Sequence, residues 1–197
     1  MVSIMNNDIK YNILIVFIGI IVNFTLTFII LISKTPFLFL DSVGTVLSAV
    51  LLGPIYGAIV GILSNLIISI FLSYSHLNFA IVNALIGIII GIISRKFKFN
   101  IMTAITSGLI IGIVSSMLGI PISIILSGGF TGANIDNFIT ILTESGLDLI
   151  KANFTIRLFT NIFDKIISCL IVCIAVKKIV LFKKNESLNV SNKNEIN

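Results

Sequence analysis

At 197 residues, 57% hydrophobic and only 11% charged, with a mean hydropathy of +1.17, the chain excludes a soluble domain, in which about a quarter of residues carry charge. The formal net charge of +5 raises nucleic acid as a partner, but the placement of the positive residues along the chain argues against it. Trp is absent and Tyr is scarce, so charges must mark the ends of the membrane spans in place of the usual aromatic belt.

Apolar runs and their punctuation predict helices over about 12–32, 41–52, 54–73, 78–94, 100–126 and 152–182. The first lacks the short apolar core and small-residue cleavage site of a secretory signal, so a retained span is expected. The stretch Leu40–Phe71 is apolar almost throughout. As one helix it would be roughly 48 Å long against a hydrocarbon core of roughly 30 Å. Pro54 lacks an amide donor and disfavours helical geometry at Gly53, so the break belongs there. The half before it is too short to span alone; it must be tilted or be continued by 33–40. Asp41 or Ser42 is placed to cap its start. After the break, Gly53, Gly57 and Gly61 form a small-residue stripe suited to close helix packing in lipid. Between the fifth and sixth spans, SGGFTGANIDNFITILTESGLDLI is rich in Gly, Asn and Asp. Its part 135–150 alternates near the helical period and predicts an amphipathic helix on the membrane surface.

The expected architecture is therefore an all-α integral membrane protein: a compact bundle of six transmembrane helices over 12–182, with a short amphipathic helix between helices 5 and 6. Residues 1–11 are expected to be a cytoplasmic N-terminal tail and 183–197 a polar, disordered cytoplasmic tail. Six crossings put Lys10, Arg95, Lys96, Lys98, Lys177, Lys178, Lys183, Lys184 and Lys193 on one face and only Lys34 and Lys151 on the other. The positive-inside rule then places both termini in the cytoplasm of a cell membrane. The basic clusters read as topology signals and headgroup contacts, with no nucleic acid required.

Catalytic signatures are missing. There is no G-x-x-x-x-G-K-[ST] loop, no H-E-x-x-H and no Cys/His cluster, so no enzyme, metal site or cofactor is expected. Cys169 and Cys173 stand one helical turn apart, which suits packing thiols and not a disulfide. Gly128, Gly129 and Gly132 could cradle an anion, but glycine in a loop is weak evidence for that.

Polar residues inside the spans are the better guide. Asn153, Arg157, Asn161 and Lys165 recur every four residues, with Asp164 beside them, and so share one face of the last helix. A cation near the bilayer centre costs about 2.5–3.5 kcal/mol, so it faces the bundle or a wet cavity. Two roles stay open for it: a structural ion pair, with Arg157 on an acid and Asp164 on Lys165 or Arg95, or a ligand contact. The candidate substrate-binding residues are Asp41, Asn83, Glu144, Asn153, Arg157 and Asn161, with Arg157 expected to hold an anionic or strongly accepting group. Asn65 and Asn83 could equally bond helix to helix. His76, Asn78, Asp136, Glu144 and Asp148 fall on or near outer loops, above a pocket that the 127–150 segment would roof.

The run LDSVGTVLSAVLLGPIYGAIVGILSNLI resembles the LDxxGTxxxAxLLGPxxGAxxGxxxNL signature of the substrate-binding S components of energy-coupling-factor (ECF) vitamin transporters. The GGFTG turn, and the later helix with Asp164-Lys165, are similar to the C-terminal part of that family. The resemblance covers about 12–182 and implies six helices, an outward pocket, and uptake of a vitamin or related micronutrient. It also implies partners: a transmembrane coupling subunit and two cytosolic ATPases, which agrees with the missing phosphate loop. Where the family carries an Ala-x-x-x-Ala pair for docking on the coupling subunit, this chain has Gly19 and Asn23. Gly57 with Gly61, and Gly87 with Gly91, are alternative docking faces or internal packing faces. Two other classes compete. A ligand-sensing membrane module would need an output domain, which the short polar tail does not supply. A stand-alone secondary carrier would show paired broken helices, of which Gly53-Pro54 is one hint.

Overall fold

The computed structural model describes residues 9–194, with side chains through Leu181. It is all-α, with no strand among the described residues: α1 (Ile9–Ser33), α2 (Val43–Leu52), α3 (Pro54–Phe71), α4 (Ser75–Asn78), α5 (Ala80–Lys96), α6 (Ile101–Ser127), α7 (Asp136–Glu144) and α8 (Leu149–Asn194). Four helical stretches are long and apolar enough to cross a membrane, namely Ile9–Ser33, Pro54–Phe71, Ile101–Ser127 and Leu149–Leu181, while Val43–Leu52 is apolar but short. They make the chain a multi-pass membrane protein. Large apolar side chains such as Phe17, Ile21, Ile55, Ile125 and Phe159 project outward, whereas Asn23, Ser64, Asn65, Asn153 and Asp164 are buried. This polarity suits a bundle in lipid, where water is found only in internal cavities and at the ends.

Gly53 ends α2 and precedes Pro54 with φ of 98°, a conformation that favours glycine. Pro54 then opens α3, where its missing N–H is harmless. The start of α2 is not capped as the sequence suggested: Ser42 makes no side-chain capping bond, and Asp41 instead pairs with Lys165. The amphipathic helix is also shorter than expected. It closes at Glu144 because Gly146 turns left-handed, with its N–H donating to Thr143 O and the N–H of Leu147 donating to Leu142 O. That pair of bonds is a Schellman closure, and a new helix begins at Leu149. The backbone of α8 continues as helix through Asn194. Residues 1–8 and 195–197 lie outside the described residues.

Packing divides the helices into two groups. In the first, α3 and α5 approach through glycine: a Cβ on Gly57 would lie 3.0 Å from Gly87 Cα, and one on Gly61 would lie 2.6 Å from Asn83 O. A Cβ on Gly91 would collide with the backbone of Pro54. Helix α1 joins this group where Gly19 meets Gly44 and Ser48 of α2. Asn23 secures the join, donating from Nδ2 to Thr45 Oγ1 and Ser64 Oγ at 2.9 Å each and accepting from Gly44 N at 2.6 Å. In the second group, Gly108 and Gly112 of α6 sit against the backbone of Ile166 and Ile162 in α8. The faces of Gly19, Asn23, Gly57, Gly61, Gly87 and Gly91 are thus buried within the chain. Small residues at these positions let the backbones of neighbouring helices touch one another.

Candidate functional site: a polar cavity at one end of the bundle

The two ends of the bundle differ in chemistry. At one end, Asn12 donates to Tyr56 Oη, Arg95 lies against Gly53, and the Cys173 thiol points to Phe99 O. Arg95, Lys96 and Lys98 gather there. At the other end, Asn134 donates to Ile30 O at 3.1 Å, Ser75 donates to Thr131 O at 2.8 Å, and the ring of Phe37 packs at a tilt against Phe138, centroids 4.9 Å apart. A cavity of about 120 Å³ lies beneath these contacts. Its wall draws on the end of α1 (Thr27), the 35–41 segment, His76, the start of α5 (Asn83), the second half of α6 (Ser115, Gly119), the 131–134 turn, and α8 (Arg157, Asn161, Lys165).

The floor is built by the last helix. Asp164 is fully buried, and its Oδ1 accepts from the backbone N–H groups of Phe39 and Leu40 at 2.8 Å each. Those donors belong to irregular backbone just ahead of α2, where Leu40 has φ of 49°. Backbone inside a membrane bundle must find partners there, and a carboxylate serves two N–H groups at once. Asp164 Oδ2 accepts from Lys165 Nζ at 2.7 Å, and the same Nζ donates to Asp41 Oδ1 at 2.8 Å. One buried ammonium therefore stands between two carboxylates.

The wall beside it is an amide chain. Asn65 Nδ2 donates to His76 O at 2.9 Å, Asn83 Nδ2 donates to Asn65 Oδ1 at 2.8 Å, and Asn83 Nδ2 also reaches Asp41 O at 3.1 Å. Asn83 Oδ1, Thr27 Oγ1 and Ser115 Oγ are buried without a hydrogen-bond partner among the described residues. His76 is half-buried over the same cavity; burial pushes its imidazole below the usual value, and the neighbouring Asp41 pulls it partly back.

The roof rests on Arg157. Its Nη2 donates to Asp136 Oδ1 at 2.8 Å, to Gly129 O at 3.2 Å and to Thr131 Oγ1 at 3.3 Å, while Nε donates to Asn153 Oδ1 at 2.9 Å. Asp136 Oδ2 in turn accepts from Thr131 N and Gly132 N at 2.7 Å each. An arginine in a span and an acid 21 residues earlier therefore hold the glycine-rich turn over the cavity. A buried charge of this kind is tolerable only when paired and hydrogen-bonded.

Of the residues singled out from sequence, Asp41, Asn83, Arg157 and Asn161 do line one cavity. Asn153 lies outside the lining and orients Arg157. Glu144 is exposed on α7, away from the cavity. Lys165, His76, Thr27 and Ser115 line it without having been chosen as binding residues. Lys165 shares the face of Arg157 in the sequence pattern and was readable on that ground. Thr27 and Ser115 carry no such signal, since hydroxyls are common in spans. Among the described residues no cluster of His, Cys, Asp and Glu is arranged to hold a metal.

Compared with protein-family models, with curated proteins and with solved structures, the chain finds no match in any of the three.

Proposed function

We propose that the chain is a membrane-embedded substrate-binding subunit for uptake of a vitamin or related micronutrient, energised in trans by a coupling subunit and two cytosolic ATPases of the ECF type. The observation that carries this reading is the cavity: charged and amide groups enclosed at one end of an otherwise apolar bundle. Apolar walls with a few convergent polar groups are the usual form of a small-molecule site. The basic residues at the opposite end support a topology with the cavity toward the outside and both termini in the cytoplasm. In this reading there are six crossings, the second made by α2 together with the irregular 34–40 segment before it.

Three measurements test it. Native mass spectrometry of detergent-purified protein should find a small molecule bound in a one-to-one ratio. Proteoliposomes holding this chain alone should bind that molecule but not accumulate it. Impermeant thiol labelling in intact cells should modify cysteines placed at 76 and 134 and spare one at 96; Cys169 and Cys173 are buried and give little background. Labelling at 96 would overturn the topology. The short α2, reached by non-helical backbone, favours one rival reading, a secondary carrier built on a broken helix. Accumulation by the chain alone under an ion gradient would select that carrier instead.

A further inference from the structure

The cavity contains more charge than it shows. Three carboxylates (Asp41, Asp136, Asp164) and two cations (Arg157, Lys165) belong to its lining or to the ion pairs of its floor and roof. The five groups leave one negative charge over. Access to them is unequal. Asp164 has both oxygens engaged and no exposure, and the Lys165 side chain is 3% exposed between its two carboxylates. Asp136 has both oxygens engaged as well, one by Arg157 and one by the 131–132 backbone. The Arg157 side chain is 6% exposed, with Nη2 held by Asp136 and Nε by Asn153. Asp41 stands apart: its side chain is 20% exposed, Oδ1 holds Lys165, and Oδ2 makes no hydrogen bond among the described residues. Beside it, Asn83 is 2% exposed and its Oδ1 has no partner. A buried amide oxygen without a donor costs stability unless something supplies one. Asn83 Nδ2 bonds the Asp41 backbone, so these two acceptors share one wall.

We propose that the cavity selects a ligand bearing a cationic or N–H-donating nitrogen group, such as an amine, an amidine or an amino-substituted heterocycle, held between Asp41 Oδ2 and Asn83 Oδ1. This rests on the binding-subunit reading and replaces the anionic ligand that the arginine in the sequence suggested. An anion at Lys165 would have to displace a carboxylate already bonded at 2.8 Å, and at Arg157 it would meet only Nη1, beside Asp136 and within a group of charges that is net negative. A nitrogen donor breaks nothing; it meets a free carboxylate oxygen, and such charge-assisted bonds are the stronger kind. The neutral state favoured for His76 adds no positive charge to oppose it.

The test uses the full chain purified in detergent and read by thermal unfolding. Three matched probes are titrated: benzamidine, benzyl alcohol and benzoate. Benzamidine should raise the midpoint saturably, benzyl alcohol less, and benzoate not at all. Asp41→Asn should weaken the benzamidine response tenfold or more, while Lys151→Gln, exposed and outside the cavity lining, leaves it unchanged. Should Asp41→Asn fail to fold, the ranking of the three probes on the native chain still decides. Stabilisation by benzoate in preference to benzamidine would overturn the proposal, as would a co-purified molecule with no N–H donor; either result leaves the binding-subunit reading standing. No co-purified molecule and no response to any probe would overturn both.

Discussion

Lys165 and Asp41 are 124 residues apart in the chain, yet Nζ and Oδ1 meet at 2.8 Å on the floor of the cavity. That bond ties α8 to the start of α2, and Asp164 ties the same two regions again through the Phe39 and Leu40 backbone. A polar residue pair at neighbouring positions in one helix thus fixes where an irregular segment ends and a short helix begins.

The first prediction concerns this triad. Lys165→Met leaves two carboxylates facing each other without their cation, and removing one member of a buried ion pair costs about 3–5 kcal/mol. The expected result is a large fall in the unfolding midpoint in detergent. Asp164→Asn combined with Lys165→Met should lose less than the sum of the two single changes, because the orphaned charge is removed with its partner. Strict additivity would mean that the contact at 2.7 Å contributes nothing.

Arg157→Lys should act mainly on the roof. A lysine cannot serve Asp136, Gly129, Thr131 and Asn153 from one planar fork. Stability should fall by about 1–3 kcal/mol, the scale of hydrogen bonds to a charged group, and limited proteolysis should begin to cut at 128–136. Asp136→Asn should reproduce the same cutting pattern. If Arg157→Lys abolished ligand binding while melting and proteolysis stayed native, the arginine would belong to the ligand and not to the roof.

Gly87→Ala separates packing from composition. The added methyl would meet the backbone of Gly57, and overpacking a tight interface costs about 1–3 kcal/mol. Gly119→Ala is the control, since its Cβ meets nothing nearer than the Phe79 ring at 3.4 Å. Thermal unfolding should drop for the first and hold for the second.

His76 gives a pH dependence with a definite sign. Its folded value lies below that of a free imidazole, chiefly through burial, with Asp41 opposing. The neutral ring is what the fold holds, so its contribution is fully present above pH of about 6.5 and is lost as pH falls through the lower folded value. The charged groups closest to this effect are Asp41 and Lys165 of the floor and Arg157 with Asp136 of the roof, all of them already paired. Melting temperature should therefore fall between pH of about 7 and about 5, and His76→Gln should flatten that slope. The bond from Asn65 goes to the His76 backbone and survives the substitution. An unchanged slope in His76→Gln would assign the acid sensitivity to another group.

Much of the helix layout was legible because its punctuation is chemical. Pro54 must break a helix, and the break stands where it was read. Gly146 was legible too but was passed over, since the apolar alternation of 135–150 runs straight through it; the left-handed turn overrode the period. The face carrying Asn153, Arg157, Asn161 and Lys165 was readable as inward. Its pairings were not. Sequence spacing shows that a buried arginine needs an acid, but Asp136, Asp148 and Glu144 are equal candidates until the 128–136 turn is folded back onto α8. The glycine stripes show the converse limit. Their spacing announces close approach, and only the three-dimensional arrangement says whether the approaching backbone belongs to the same chain.

The cavity lies on the boundary between the two packing groups, with Asp41, His76 and Asn83 on one side and Ser115, Asn161 and Lys165 on the other. A molecule seated there acts as a cross-link between two halves of the protein. Its binding free energy and the cohesion of the halves then become linked quantities. Linkage is reciprocal, so a protein that pulls the halves apart lowers the ligand's affinity by the same factor by which the bound ligand resists being parted. On the binding-subunit reading, loading and release at this site would follow one mechanical coordinate, the spacing between α2 with α5 and α6 with α8.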